Sequence, residues 1–238
     1  MALKEILYDN FTYQISYEIV NLNCSNAVLI LHGWGSNKEI MKSSFSKYLQ
    51  DYRHIYVDLP GFGNSNIHKP LKTVDYASII EEFLKSLSVK PLVIIGHSFG
   101  GKVAVLLNPE NLVLLSSAGI PKKKSVKTRL KIRLFKFLKP LGGAKLYRIF
   151  ATKDVEGMNK TMYETLKNVV DEDFSDIFEN YNGRAFLYWG DKDDATPPEC
   201  GRKIAGLIKN SKFQEFGGDH FFFTKYSRDI TDDLERLL

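Results

Sequence analysis

The 238-residue sequence has only two cysteines, no apolar run of bilayer-spanning length and no His/Cys cluster at metal-ligand spacing. Cys24 and Cys200 lie far apart, so two free thiols in a reducing compartment are expected and a disulfide framework is not. A membrane-spanning helix needs ~18 consecutive apolar residues, and none is present. The opening stretch, Met1-Ala2-Leu3-Lys4-Glu5-Ile6-Leu7-Tyr8-Asp9, has neither the apolar core nor the cleavage site of a signal peptide. A cytoplasmic location is therefore expected. No cofactor, nucleotide or metal motif is visible, and nothing beyond a lysine cluster suggests nucleic acid. Repeats, low-complexity segments and interdomain linkers are also missing.

Hydrophobic residues make up 44% of the chain and charged residues 26%, a balance that allows a large buried core. Short apolar runs alternate with longer amphipathic ones, which predicts a mainly parallel sheet covered by helices. Two alternating segments, residues 3–8 and 12–20, meet at Asp9-Asn10 and predict an antiparallel hairpin. Buried strands are expected at 27–31, 55–58, 92–95, 112–116, 185–189 and, more weakly patterned, 212–216. Helices are expected near 38–51, 73–88, 99–107, 198–209 and 225–237. Residues 121–182 show only helical pattern. They read as a helical lid inserted into a core formed by residues 1–120 and 183–238.

The chemistry-bearing motifs sit at predicted strand ends. Leu92-Val93-Ile94-Ile95 runs into Gly96-His97-Ser98-Phe99-Gly100-Gly101, a Gly-x-Ser-x-Gly turn between a strand and a helix. Such a turn lifts a Ser98 hydroxyl above the sheet and aims a helix N-terminus at any oxyanion formed there. A second strand ends in His32-Gly33-Trp34-Gly35. The backbone N–H groups of Trp34 and Phe99 are the expected oxyanion donors, while the Trp34 indole is free to line a pocket.

The other histidines and acids have blander readings. His32 follows a buried strand and is expected to tie loop backbones together. His97 is expected to point away from Ser98 in a structural or pocket-lining role, and His54 and His68 to lie on the surface without partners. Asp58, in Asp58-Leu59-Pro60-Gly61-Phe62-Gly63, precedes the nucleophile and reads as a loop organiser. In Gly190-Asp191-Lys192-Asp193-Asp194-Ala195-Thr196-Pro197, the Gly-x-x-Asp spacing with Pro four residues later selects Asp193 as the orienting acid. Asp191 is the second choice, and Asp191 and Asp194 otherwise read as solvated loop charges. His220, in Glu215-Phe216-Gly217-Gly218-Asp219-His220, sits in a glycine-rich loop that lets it reach back toward Ser98. A hydroxyl needs such a base, and the base needs a carboxylate to fix its tautomer.

With these motifs the sequence resembles the α/β-hydrolase superfamily over nearly its whole length, and the order Ser98, Asp193, His220 is the one that superfamily uses. Within it, His32-Gly33-Trp34-Gly35, Asn37 and Asp58-Leu59-Pro60-Gly61-Phe62-Gly63 resemble the carboxylesterases that demethylate pimeloyl-acyl-carrier-protein methyl ester. The resemblance implies an α/β-hydrolase fold with a helical lid and a small-molecule acyl substrate. Asp219 departs from the small residue usual before the histidine, and either perturbs His220 or faces solvent.

The formal net charge is only +5, but its distribution is uneven. Eleven cations lie between Pro121 and Arg148, and no acid occurs between Glu110 and Asp154. Leu130, Leu134, Phe137, Leu138 and Leu141 recur among them at helical spacing. One reading is a helix with a solvated basic face. The other is an electrostatic dock for an acidic carrier protein or an anionic membrane surface. Ester hydrolysis is the favoured chemistry, with thioester, amide or carbon–carbon hydrolysis, haloperoxidase-like reactions and acyl transfer left open. A non-catalytic binding protein on the same fold is the competing class.

Overall fold

The computed structural model describes residues 1–121 and 159–237. The basic stretch, and with it most of the expected lid, lies outside the described residues.

Eight strands form one sheet: β1 (Ala2–Tyr8), β2 (Phe11–Val20), β3 (Ala27–Leu31), β4 (Arg53–Val57), β5 (Val93–His97), β6 (Asn111–Leu115), β7 (Arg184–Gly190) and β8 (Ser211–Phe216). Their spatial order is β1-β2-β4-β3-β5-β6-β7-β8. The expected hairpin is β1–β2, turning through Asp9 and Asn10 at positive φ; β2 also runs antiparallel to β4. All other pairs are parallel. Parallel strands need crossovers, and the helices that supply them cover both faces. These are α1 (Lys38–Phe45), α2 (Thr73–Ser86), α3 (Phe99–Leu106), α4 (Lys160–Val169), α5 (Ser175–Glu179), α6 (Pro198–Leu207) and α7 (Phe223–Leu237).

The central strands are buried along their whole length, which is why they read as unbroken apolar runs. Side chains still alternate between two cores. Leu29, Leu31, Ile55, Val57 and Ile94 join Phe83, Val103 and Ile204 on one face. Val28, Ile30, Tyr56, Val93 and Ile95 join Phe45, Phe223 and Ile230 on the other. Chain direction across the sheet reverses between β3 and β5. At such a switch point the loops leaving neighbouring strands part, opening a crevice at their carboxyl ends.

Two expectations change. The first helix stops at Phe45, because Ser46 caps it and Leu49 turns the chain at φ +49°. The strand expected from residue 55 begins at Arg53, which places His54 inside the sheet.

The described residues between β6 and β7 carry α4 and α5, which are tied to α2 and α3 by polar contacts. Lys102, fully buried on α3, donates to the Val169 carbonyl at 2.6 Å and to Glu172 Oε2 at 2.5 Å. Its ammonium also lies 4.6 Å from the Phe174 ring centre. The Thr73 hydroxyl donates to the same Glu172 carboxylate, and the Phe174 N–H to the Gly119 carbonyl. Lys102→Met should leave a C-terminal carbonyl of α4 and a half-buried carboxylate without their cation. A loss of roughly 1–3 kcal/mol in urea-monitored unfolding is expected. An unchanged midpoint would show that this tie contributes nothing to stability.

Candidate active site

Ser98 follows β5 directly and precedes α3, at φ +51° and ψ −114°. A non-glycine residue there is strained by about 1–3 kcal/mol and persists only where its surroundings hold it. Here the Ser98 N–H donates to Leu115 O at 3.0 Å, and its carbonyl accepts from Gly101 N at 3.1 Å and Ala118 N at 3.0 Å. The flanking glycines are required by contact. A Cβ on Gly96 would lie 2.5 Å from the Gly100 carbonyl oxygen, and one on Gly100 would lie 2.6 Å from that of His32. The turn thus presses α3, β5 and the loop after β3 together, leaving Ser98 half-buried.

The loop after β3 borders Ser98: a Cβ on Gly33 would sit 3.0 Å from the Ser98 Cβ. Phe99 is the first residue of α3, so its N–H is one of those a helix leaves without an internal acceptor. Trp34 packs edge-on against Phe62 and Phe99, with ring centres 4.9 and 5.5 Å apart. Its Nε1 is buried without a hydrogen-bond partner among the described residues.

His32 and Asp58 fix this loop from below. His32 Nε2 accepts from the Leu59 N–H at 3.0 Å, so Nδ1 carries the proton it donates to Gly33 O at 2.8 Å. Burial lowers the His32 pKa to about 4, consistent with a neutral ring. Asp58 accepts from the Lys38 N–H at 2.8 Å, the Lys38 ammonium at 2.7 Å and the Asn64 N–H at 3.0 Å. Burial alone would raise its carboxyl; these donors outweigh it and hold the pKa below the usual value. The loop-tying role expected of both residues matches these contacts. Lys38 was not legible as the partner, since a lysine opening a helix normally reads as solvated.

The expected acid and base, Asp193 and His220, lie on the loops after β7 and β8. Asp193 is buried, and its Oδ2 accepts from His220 Nδ1 at 2.8 Å. Its Oδ1 accepts from the Ala195 and Thr196 N–H groups, both at 2.8 Å. Burial opposes ionisation, but the imidazole and the Thr196 N–H overcome it and lower the Asp193 pKa to about 2. The Thr196 hydroxyl lies 3.0 Å from Asp193 Oδ2, 2.9 Å from Ser116 O and 3.3 Å from His220 Nδ1. Sequence reading missed this threonine. Its signal was an Asp followed three residues later by Thr, just before the prolines that open α6.

Asp191 does not touch His220 but is more than a solvated charge. Its carboxylate accepts from Gly218 N at 2.8 Å, while Asp191 N and Lys192 N donate to Phe216 O and Gly218 O. These bonds join the loop after β7 to the loop after β8. Asp194 is exposed. Asp219 is exposed too, and its carboxylate accepts from the Phe221 N–H at 2.8 Å, capping the turn that leads into α7.

Of the remaining histidines, His54 corrects the surface expectation. It is fully buried, with Nε2 donating to Leu49 O and Nδ1 accepting from the Tyr56 hydroxyl, both at 2.9 Å. His68 is exposed but partnered, to Thr12 O at 2.9 Å and by stacking on Phe11. Cys24 and Cys200 are both free. Among the described residues no group of three or more His, Cys, Asp or Glu is placed to hold a metal ion, and no helix is long and apolar enough to cross a membrane.

A mainly parallel sheet with a switch point, a serine turn and a carboxylate–histidine pair on the last two strand loops define a class of fold. The family model for the alpha/beta hydrolase fold matches residues 26–116. An esterase from Exiguobacterium antarcticum superposes with a TM-score of 0.76 at 22% identity, over 98% of both chains. The chain has the α/β-hydrolase fold.

Curated relatives match over shorter stretches. A pimeloyl-[acyl-carrier protein] methyl ester esterase of Pseudoalteromonas atlantica is 35% identical over 98 residues, covering 38% of this chain and 36% of that protein. An uncharacterized protein of Mycobacterium tuberculosis is 31% identical over 113 residues, covering 44% and 33%. The chain thus spans about a third of the length of the curated relatives it matches.

Proposed function

We propose that the protein is a serine hydrolase that cleaves a carboxylic ester, or a related acyl bond, through an acyl-enzyme intermediate. What supports this reading is the Ser98 turn, held at φ +51° by three backbone hydrogen bonds, beside the Asp193–His220 pair. His220 lies against His97, the residue that precedes Ser98. Ser98 Oγ attacks the acyl carbon as His220 takes its proton, and His220 then protonates the leaving alcohol. With Asp193 accepting at Nδ1, the basic lone pair of His220 is on Nε2. The Trp34 and Phe99 N–H groups receive the oxyanion. Water, activated by the same imidazole, then releases the acid and restores Ser98.

A narrower substrate reading is supported by the eleven cations of 121–148 and by the name of the Pseudoalteromonas atlantica relative. The acyl group is then presented on an acidic carrier, as an ester or thioester, with the insertion acting as a basic lid. One experiment tests both levels. Turnover of a p-nitrophenyl ester chain-length series and labelling by a fluorophosphonate probe test the hydrolase; no turnover and no labelling would leave the non-catalytic binding protein. Carrier-linked ester is expected to be preferred over free ester at low salt, and the preference to fade as salt screens charges more than ~10 Å apart at 0.1 M. Changing Arg129, Lys131, Arg133 and Lys136 to Glu should raise KM for the carrier-linked ester alone. A preference independent of salt would reject the carrier.

A further inference from the structure

Ser98 and His220 belong to strands that are not neighbours: β6 and β7 lie between β5 and β8. The base therefore has to be held over the nucleophile across the width of two strands. The covalent chain does not do this, and the Asp193 contact fixes only the imidazole edge. A third contact reaches the main chain of the base. His97 Nε2 lies 3.0 Å from the carbonyl oxygen of His220. A carbonyl only accepts, so Nε2 carries the proton. Nδ1 is then the unprotonated nitrogen, and it is buried without a hydrogen-bond partner among the described residues.

The His97 ring has little freedom. It packs at 4.6 Å from the His220 ring, 5.3 Å from Phe221 and 4.7 Å from Phe223. On the opposite side, a Cβ on Gly33 would lie 2.8 Å from its Nδ1, so the oxyanion loop closes over that edge. We propose that His97 is a positioning residue. Its Nε2–H holds the backbone carbonyl of His220 and so sets the distance of the base from the serine that follows His97 in the chain. This rests on the hydrolase reading above but assigns a role that reading does not need.

A neutral ring is part of the role. The titratable groups facing His97 are His220 from the β8 loop, Asp193 from the β7 loop and His32 from the β3 loop. Burial, with the neighbouring His220 adding to it, lowers its pKa to about 3. A charged His97 would sit beside the imidazolium that forms on His220 during the reaction, with no acceptor for an Nδ1 proton.

His97→Leu removes the donor, and His97→Gln places an amide N–H close to where Nε2 was. Removing one such hydrogen bond should lower kcat roughly tenfold for a small ester with little change in KM, and His97→Gln should recover most of the loss. A merely structural role would move thermal stability in both variants and spare the kcat-to-KM split. Imidazole ¹⁵N spectra of the wild-type protein supply a readout that no variant can spoil. They should show His97 as the neutral Nε2–H tautomer from pH 8 to pH 5. The inference is overturned by unchanged kcat in His97→Leu, by equal kcat loss in both variants, or by titration of His97 in that range. An inactive wild-type protein would instead reject the hydrolase reading.

Discussion

Ser98→Ala is expected to abolish fluorophosphonate labelling and to lower ester turnover by several orders of magnitude, on the order of 10⁶ where a triad nucleophile is removed. The size follows from the chemistry, since without Oγ no acyl-enzyme forms and only the oxyanion donors and substrate binding remain. The fold should survive, because the three backbone bonds at Ser98 do not involve its hydroxyl. Alanine keeps a Cβ at φ +51°, so it inherits the strain. Ser98→Gly should be equally inactive yet more stable than Ser98→Ala by roughly 1 kcal/mol, because glycine adopts this conformation without steric cost. Thermal unfolding of the two variants checks this. Retained labelling in Ser98→Ala would show that the nucleophile is elsewhere.

The sequence showed the sheet because parallel strands covered on both faces are unbroken apolar runs, and 27–31 is the clearest of them. It showed the serine turn because the crowding between Gly96 and Gly100 permits no other residues. Partners across loops were less legible. Asp193 could be ranked above Asp191 by spacing, but the bond from Asp191 to Gly218 N depends on how two separate loops meet. Lys38 and Thr196 look like ordinary surface residues until the fold places them against Asp58 and Asp193. His54 was misread because a strand beginning with Arg53-His54 does not look apolar, although its tertiary partners Leu49 and Tyr56 satisfy both ring nitrogens. The same limit hid the acceptor of His97, which lies 123 residues further along the chain.

Asp193→Asn is expected to reduce kcat by about 10⁴, the loss seen where a triad carboxylate becomes an amide. The asparagine oxygen can still accept from the Ala195 and Thr196 N–H groups, so the loop should keep its shape. The amide NH₂ then faces His220 Nδ1, which must accept in place of donating. The ring proton moves to Nε2, and the lone pair that should take the Ser98 proton is lost. Asp191→Asn should cost far less, because an amide oxygen can still accept from Gly218 N and no contact to His220 is involved. A more severe loss in Asp191→Asn than in Asp193→Asn would reverse the assignment. The pH dependence carries a second signature. The folded-state pKa of Asp193, about 2, lies below its ordinary value, so its ionisation stabilises the fold. That contribution is fully present above ~3.9, the unfolded value, and is lost as pH falls toward 2. Wild-type and Asp193→Asn proteins should therefore differ most in unfolding free energy at neutral pH and converge under strong acid.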